Sequence, residues 1–279
     1  MNIQPVARPL HGSGISGDVR IVRDFPCEAL GGTRDVVVYL PPGYDAPGNA
    51  RKYPVVYLHD GQNVFNPRSA FMGREWGLDE TAEALIRAGR MPPVIMVGVY
   101  NNGAKRIEEY TDVPDTKYGG GKADAYGDFL IREMKPWVDR HFRTQADAAH
   151  TAVMGSSLGG LVSLYLSWKH PDVFGLCGAL SPSLWWADGH LTKALAQTEG
   201  RGPSRVWIDM GTAEGGGEDA DGNGVNDFVD DLREMRDVLL EKGYRLDDTL
   251  HYREVPGAEH NEPAWAERAD EALMALFPK

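Results

Sequence analysis

The sequence has few cysteines, no long apolar run and no excess of positive charge. Its two cysteines, Cys27 and Cys177, cannot build a disulfide framework and lack the spacing of metal ligands. The strongest apolar run, 94–100, has the length of a strand, whereas a membrane helix needs about 20 apolar residues. With 29 basic and 41 acidic residues the net charge is -12, which leaves nothing to neutralise nucleic-acid phosphates. We therefore expect neither a membrane nor a nucleic-acid partner.

The N-terminus also lacks the pattern of a secretion signal. Residues 1–5, Met-Asn-Ile-Gln-Pro, have no basic start that leads into an apolar segment. A cytoplasmic location is the expectation that follows. The alternative is a periplasmic or secreted protein whose leader has been removed, because such a chain would read the same.

The composition is that of a globular protein, with 42% apolar and 25% charged residues in 279. Apolar strand-like runs alternate with amphipathic helix-like segments and no linker interrupts them. The predicted strands are 36–40, 53–58, 94–99, 151–154, 176–180, 206–210 and 250–255, and the predicted helices are 78–88, 126–142, 158–169, 228–240 and 265–276. The alternation predicts an α/β fold with a mostly parallel central sheet covered by helices on both faces. We expect residues 1–279 to form one domain.

The sharpest local signal is Gly155-Ser156-Ser157-Leu158-Gly159-Gly160, which fits the pattern G-x-S-x-G. It follows a predicted strand and opens a predicted helix, which is the context of a nucleophile elbow. The glycines allow the backbones to approach closely in a strained turn, and the helix N-terminus offers N–H groups to a developing negative charge. Ser157 is the predicted nucleophile. A phosphate-binding turn is disfavoured because Leu161 stands where that motif would place a lysine.

A serine nucleophile needs a base, and in proteins with this elbow the order along the chain is Ser, then Asp or Glu, then His. The histidines after Ser157 are His170, His190, His251 and His260. His260 follows the last predicted strand in a polar loop that can reach back over the sheet. It is therefore the predicted base.

The acid should follow the strand 206–210, since the carboxyl ends of parallel strands meet at one edge of the sheet. Glu214 lies in the turn after that strand and is the preferred acid. Asp209 is inside the strand and is expected to point away. Asp209 and Glu218 stay as alternatives.

The loop after strand 53–58, His59-Asp60-Gly61-Gln62-Asn63, is the predicted source of an oxyanion donor. We expect the backbone N–H of Gln62 to act together with that of Leu158. His59 is interpreted as a packed histidine that braces this loop.

These segments resemble the bacterial putative-esterase family of α/β-hydrolases, which includes feruloyl and acetylxylan esterases, enterochelin esterases and S-formylglutathione hydrolase. The similar segments run from about residue 36 onward: 59–65, 155–160, 170–174, 181–186 and 211–214. The resemblance implies hydrolysis of a small-molecule or glycan ester, with Ser157 as nucleophile, Glu214 as acid, His260 as base and no cofactor for catalysis.

The same resemblance places Trp185 and Trp186 near the substrate pocket, where their rings could stack on a sugar or an aromatic acyl group. Core packing is the equal alternative for both tryptophans. Arg106 and Glu109 match a recurrent pattern of the family, and we expect them to form a structural ion pair.

An acidic segment at 215–231 departs from the family pattern. Counting Asp219 as position one, the EF-hand ligand positions fall on Asp219, Asp221, Asn223, Val225, Asp227 and Asp230, with Gly224 at position six. This register predicts a structural Ca²⁺ that orders the backbone next to Glu214. Two features depart from the motif: three glycines precede the loop instead of a helix, and position twelve is Asp.

The predicted function is thus a serine carboxylic-ester hydrolase that forms an acyl-enzyme on acylated carbohydrate or related small esters. An acyltransferase with the same residues, a peptidase and a non-catalytic Ca²⁺-dependent carbohydrate-binding protein are the alternatives. The sequence leaves the acyl group, the alcohol and the oligomeric state open.

Overall fold

The computed structural model describes residues 5–279. Residues 1–4, which belong to the N-terminal segment on which the expected location rests, lie outside the described residues. The strands are β1 (Arg8–Pro9), β2 (Asp18–Pro26), β3 (Thr33–Leu40), β4 (Val55–Leu58), β5 (Ile95–Val99), β6 (Pro114–Asp115), β7 (Gly119–Gly120), β8 (Thr151–Ser156), β9 (Leu176–Leu180), β10 (Arg205–Gly211) and β11 (Leu250–Val255).

The helices are α1 (Leu78–Arg87), α2 (Arg106–Glu109), α3 (Ala123–Phe129), α4 (Lys135–His141), α5 (Leu158–Lys169), α6 (Trp186–Gln197), α7 (Asp227–Glu241), α8 (Glu262–Ala266) and α9 (Ala269–Leu276). A π-helical turn, Leu130–Met134, joins α3 to α4. Within residues 5–279 no helix has the length and apolar character needed to cross a membrane.

Nine strands form one sheet in the order β1-β2-β3-β5-β4-β8-β9-β10-β11. Strands β5, β4, β8, β9, β10 and β11 are parallel to one another. The chain's first three strands extend this sheet as an antiparallel edge. The carboxyl ends of β4, β8, β10 and β11 therefore meet at one edge, where ligand sites of open α/β sheets form.

Helices cover both faces of the sheet, and its central strands are therefore buried on both sides. On one face α1 and α9 pack through residues such as Leu85 and Leu273. On the other face α3 to α7 pack through residues such as Phe129, Leu164 and Met235. The predicted α/β class, with its mostly parallel sheet, is confirmed.

The differences from the sequence prediction lie at the edges. Strand β2 was not predicted because a register shift between Val22 and Phe25 interrupts its alternation, and Asp24 takes a positive φ of 51° there. Helix α6 is a further difference from the prediction, and its second to fourth residues, 187–189, have positive φ. The closing helix is divided into α8 and α9 around Arg268, whose φ and ψ are −120° and 1°.

Candidate active site

Ser157 lies in the turn between β8 and α5 with φ 58° and ψ −125°, a conformation that is costly for a non-glycine residue. Its N–H donates to the carbonyl of Leu180 at 3.0 Å, so the neighbouring strand β9 holds the turn in place. Close backbone packing requires glycine beside it, because a Cβ on Gly155 would lie 2.9 Å from the carbonyl carbon of Gly159. The turn thus presents the Ser157 hydroxyl at the carboxyl edge of the sheet.

His260 reaches this hydroxyl from the loop after β11. Its Nε2 is 2.9 Å from Ser157 Oγ, and its Nδ1 is 2.6 Å from Glu214 Oε2. Two of the other candidate histidines have different partners: His190 Nδ1 contacts Asp112 at 2.9 Å, and His251 stacks on Trp207. The structure therefore brings Ser157, His260 and Glu214 together in one hydrogen-bonded series.

Glu214 is 1% exposed and begins the short turn that follows β10. Its Oε1 accepts hydrogen bonds from Ser181 Oγ at 2.5 Å and from the Gly211 N–H at 2.8 Å. Burial alone would raise the pKa of Glu214, but the hydrogen bonds to His260 and Ser181 outweigh it and hold the pKa below its ordinary value. The carboxyl group is therefore ionised at neutral pH.

The two alternative acids lie elsewhere. Asp209 is fully buried, and its carboxylate accepts from Arg268 Nε at 2.9 Å and from Trp207 Nε1 at 2.6 Å. Glu218 is exposed on the surface. Of the three candidate acids, Glu214 is thus the one in contact with His260.

The loop predicted to supply an oxyanion donor packs beside Ser157. Asp60 adopts a left-handed conformation that starts the turn Gly61–Asn63, and Gly61 is required because a Cβ there would lie 2.3 Å from the carbonyl carbon of Gly98. In the described part of the chain, the backbone N–H groups of Gln62 and Leu158 have no hydrogen-bond acceptor. Their role stays a prediction.

His59 is 3% exposed and lies within hydrogen-bond distance, 2.8 Å, of the Tyr126 hydroxyl. Burial lowers its pKa to about 3, so the ring is neutral. The interpretation of His59 as a packed histidine is confirmed.

The expected ion pair between Arg106 and Glu109 is wrong. Arg106 instead binds Asp60 through two bonds of 2.8 and 2.7 Å, while Glu109 is buried against Arg34 at 2.6 Å. The two side chains leave the short helix α2 in different directions, because each has a separate buried partner. Arg106 therefore braces the loop beside Ser157 rather than its own helix.

Ser157 and His260 line a cavity of about 350 Å³. Its polar lining comes from Asp60, Gln62, Asn63, Asn101, Arg106 and Glu262. Phe71 and Trp265 add aromatic surface. Since Arg106 is already neutralised by Asp60, the cavity presents mainly neutral hydrogen-bonding groups and one further carboxylate.

Neither predicted substrate-binding tryptophan lines this cavity. Trp186 is 2% exposed, and its Nε1 donates to the carbonyl of Val113 at 2.8 Å, so it follows the core-packing alternative. Trp185 is 39% exposed and its ring lies 6.2 Å from that of Tyr118. Its contact with substrate stays a prediction.

The acidic loop folds back on itself through its own side chains. Asp219 accepts from the N–H groups of Asn223 and Gly224, and the Asn223 amide donates to Asp221 and Asp230. Val225 donates its N–H to Asn223, and Asp227 accepts from Ala220. The donor set contains the oxygens that Ca²⁺ prefers, but no group of three or more metal-ligating His, Cys, Asp or Glu side chains is assembled within residues 5–279. The Ca²⁺ site stays a prediction.

Sequence reasoning missed two serines and an arginine around these residues. Ser183 Oγ lies 3.3 Å from Ser157 Oγ, and Ser181 and Arg268 lie behind Glu214. The two serines sit in Ser181-Pro182-Ser183, one of the segments from which the family resemblance was drawn. The two serines could have been predicted as site residues, because they are polar residues directly after a buried parallel strand.

The chain is similar to known esterases. The family model described as "Putative esterase" matches residues 27–276. The chain is 27% identical to the ferri-bacillibactin esterase BesA of Bacillus subtilis over 70% of each protein. It is 31% identical to the endo-1,4-beta-xylanase/feruloyl esterase of Xylanibacter ruminicola over 56% of this chain and 20% of that one.

A solved structure, the BES protein from Bacillus cereus, superposes with a TM-score of 0.70 over the whole of both chains at 19% identity. That similarity supports the fold, and the family match supports the chemistry. The chain belongs to the putative-esterase family of α/β-hydrolases and is an enzyme that hydrolyses carboxylic esters.

Proposed function

We propose that this enzyme is a serine esterase in which Ser157 is the nucleophile, His260 the general base and Glu214 the acid that orients the imidazole. The observation that carries the proposal is the hydrogen-bonded series from Ser157 Oγ through His260 to Glu214, with separations of 2.9 and 2.6 Å. Both separations are within the range of strong hydrogen bonds. The three residues come from three different loops at one edge of the sheet.

The first step is attack on the ester carbonyl. Because Glu214 is an ionised acceptor, His260 donates from Nδ1 and keeps its lone pair on Nε2, facing Ser157. The Ser157 proton passes to Nε2 as Oγ bonds to the carbonyl carbon. The resulting imidazolium is stabilised by the adjacent carboxylate of Glu214.

The oxyanion of the tetrahedral intermediate is assigned to the backbone N–H groups of Gln62 and Leu158. Leu158 is the first residue of α5, so its N–H has no partner within the helix. Each such donor typically contributes about 3–4 kcal/mol of transition-state stabilisation. The Nε2 proton of His260 then passes to the departing alkoxide, which leaves as the alcohol.

Deacylation repeats the same proton transfers with water. His260 takes a proton from water as the water oxygen attacks the carbonyl carbon of the acyl-enzyme. The proton passes to Ser157 Oγ when the carboxylic acid product leaves. The same imidazole therefore serves both halves of the reaction.

The substrate class we propose is an acylated carbohydrate or a related small ester. A cavity of about 350 Å³ has room for a small acyl or alcohol group, and its amides and the Glu262 carboxylate suit a hydroxylated or amide-bearing substrate. Two relatives, one named as a feruloyl esterase and one as a ferri-bacillibactin esterase, support an ester substrate of this kind. Trp185 is exposed and does not line the cavity, and in this proposal its ring offers an aromatic face to a larger substrate.

An acyltransferase would use the same residues with a sugar alcohol in place of water, and a peptidase would use them on an amide. Membership of an esterase family favours hydrolysis of esters over both. The same membership disfavours the non-catalytic carbohydrate-binding alternative.

The test is a panel of methyl butyrate, methyl ferulate, an acetylated xylo-oligosaccharide and ferri-bacillibactin, with Ser157→Ala as the blank. We expect the polar esters to give a higher kcat/KM than methyl butyrate. A plain alkyl ester preferred over every polar one would contradict the substrate class. Product analysis with an added sugar acceptor separates transfer from hydrolysis, and a majority of transferred product would identify an acyltransferase.

A further inference from the structure

Ser181 connects the predicted acid to a buried cation. It follows β9 directly, is fully buried and has a positive φ of 41°. Its Oγ has three polar neighbours: Glu214 Oε1 at 2.5 Å, Arg268 Nη2 at 2.6 Å and Trp265 Nε1 at 2.9 Å. A buried, strained serine with three hydrogen bonds is held in one orientation.

The chemistry of these neighbours fixes the direction of the Ser181 proton. The guanidinium of Arg268 and the indole N–H of Trp265 can only donate, and a hydroxyl has one proton and two lone pairs. Both lone pairs of Ser181 Oγ are therefore filled by donors. The single O–H must point at Glu214 Oε1.

This arrangement sets which Glu214 oxygen is used by which partner. Oε1 accepts from the Ser181 O–H and from the Gly211 N–H. That leaves Oε2 for His260 Nδ1, 2.6 Å away. A proton on Oε1 would collide with two donors, so the network favours the ionised carboxyl group and, with it, the Nδ1–H tautomer of His260.

The cation behind Ser181 is itself fixed. Arg268 is 5% exposed, and its Nε donates to Asp209 Oδ1 at 2.9 Å. Its Nη2 lies 3.6 Å from Glu214 Oε1, so its charge also favours the carboxylate. Within residues 5–279, the ionisable side chains in contact with the Glu214 carboxylate are thus His260 and Arg268, with Asp209 behind Arg268. The neutral side chain of Asn226, the residue before α7, donates to the backbone carbonyl of Glu214.

The same short segment also holds the nucleophile. The carbonyl of Leu180 accepts the Ser157 N–H at 3.0 Å, and the Ser183 N–H donates to the Ser157 carbonyl at 3.1 Å. Residues 180–183 therefore fix the Ser157 turn on one side and the Glu214 carboxylate on the other.

From this geometry we propose that Ser181, oriented by Arg268 and Trp265, is a positioning residue that holds Glu214 as an acceptor and thereby sets the His260 tautomer that serves catalysis. The inference rests on the proposed function. Ser181 touches no reacting atom and acts through Glu214.

The test begins with Ser181→Ala, with Ser167→Ala as the matched control. Ser167 is also fully buried, and its hydroxyl donates to the carbonyl of Leu164 within α5. Losing a hydrogen bond to a charged group should lower kcat of Ser181→Ala by about 10- to 100-fold. KM should change little, because acylation and deacylation use the same imidazole and slow together. The control should keep kcat.

Two further readouts separate positioning from a structural role. In a Glu214→Ala background, Ser181→Ala should change kcat by less than about twofold, since the residue through which it acts is gone. The downfield proton NMR resonance of His260 Nδ1–H should move in Ser181→Ala and stay in place in Ser167→Ala. If Ser181→Ala does not fold, Ser181→Gly removes the same hydroxyl and accepts the positive φ.

An unchanged kcat in Ser181→Ala, additive losses in the double variant or an unmoved His260 resonance would each overturn the inference. Those results leave the proposed function intact as long as Ser157→Ala is inactive. Full activity in Ser157→Ala would instead overturn the proposed function itself.

Discussion

Replacing Glu214 with glutamine removes one negative charge and keeps the size of the side chain. Both carboxylate oxygens face donors: Ser181 O–H and Gly211 N–H at Oε1, and His260 Nδ1–H at Oε2. The amide oxygen can satisfy one side only. We expect it to stay with the two donors at the Oε1 position, so that the new NH₂ group faces His260.

An NH₂ group at that position needs an acceptor, and His260 can provide one only by moving its proton from Nδ1 to Nε2. In that tautomer Nε2 cannot take the Ser157 proton. The expected loss in kcat is about 10⁴-fold at neutral pH, or roughly 5 kcal/mol of transition-state stabilisation. The assay is hydrolysis of p-nitrophenyl acetate by the purified variant.

Glu254→Gln is the matched control, because Glu254 on β11 pairs with Arg233 away from His260. The control should keep wild-type kcat. A Glu214→Gln enzyme that retains more than about a tenth of wild-type kcat would show that the charge of Glu214 does not set the His260 tautomer, since that loss is within the range of a single lost neutral hydrogen bond.

Three other predictions concern stability and substrate binding. Burial raises the pKa of Glu75 to about 7, and a carboxyl group whose pKa is higher in the folded state lowers stability as pH rises from about 4.5 through 7. Glu75→Gln should therefore have a higher Tm than wild type at pH 8 and the same Tm at pH 4. A change in Tm at pH 8 no larger than that of the exposed control Glu241→Gln would contradict this. If loop 219–230 binds Ca²⁺, saturating Ca²⁺ should raise Tm by about 5–10 °C over the chelated protein; a Tm unmoved by chelator and by added Ca²⁺ would exclude the site. Trp185→Ala should raise KM for feruloyl or sugar esters by up to about tenfold with kcat unchanged, and an unchanged KM would show that Trp185 does not contact the substrate. Trp186→Ala should mainly lower Tm, because it leaves a cavity in the core.

The residues of the candidate site that lie in local sequence patterns could be predicted from the sequence. Ser157 was predictable because its glycines are demanded by close backbone packing in a strained turn. His260 and Glu214 followed from chain order and from their places after predicted strands. Each of these inferences used a rule about strand ends, and strand ends were predictable because the parallel strands read as continuous apolar runs.

The parts that were missed or wrong depend on tertiary contacts. Arg106 and Glu109 are three residues apart on a helix, a spacing that favours a pair, yet Asp60 and Arg34 approach from distant segments and take one each. Arg268 lies behind Glu214 only because α8 and α9 fold back over the sheet. No local pattern reports such an approach.

In the proposed reaction Ser157 forms the covalent bond to the acyl group. The most direct measurement treats the wild-type enzyme and Ser157→Ala with a fluorophosphonate and locates the adduct by peptide mass spectrometry. We expect one adduct, on Ser157, none on the variant, and a fall in kcat of about a millionfold in Ser157→Ala. An adduct on a different residue, or near-normal ester hydrolysis by the variant, would contradict it.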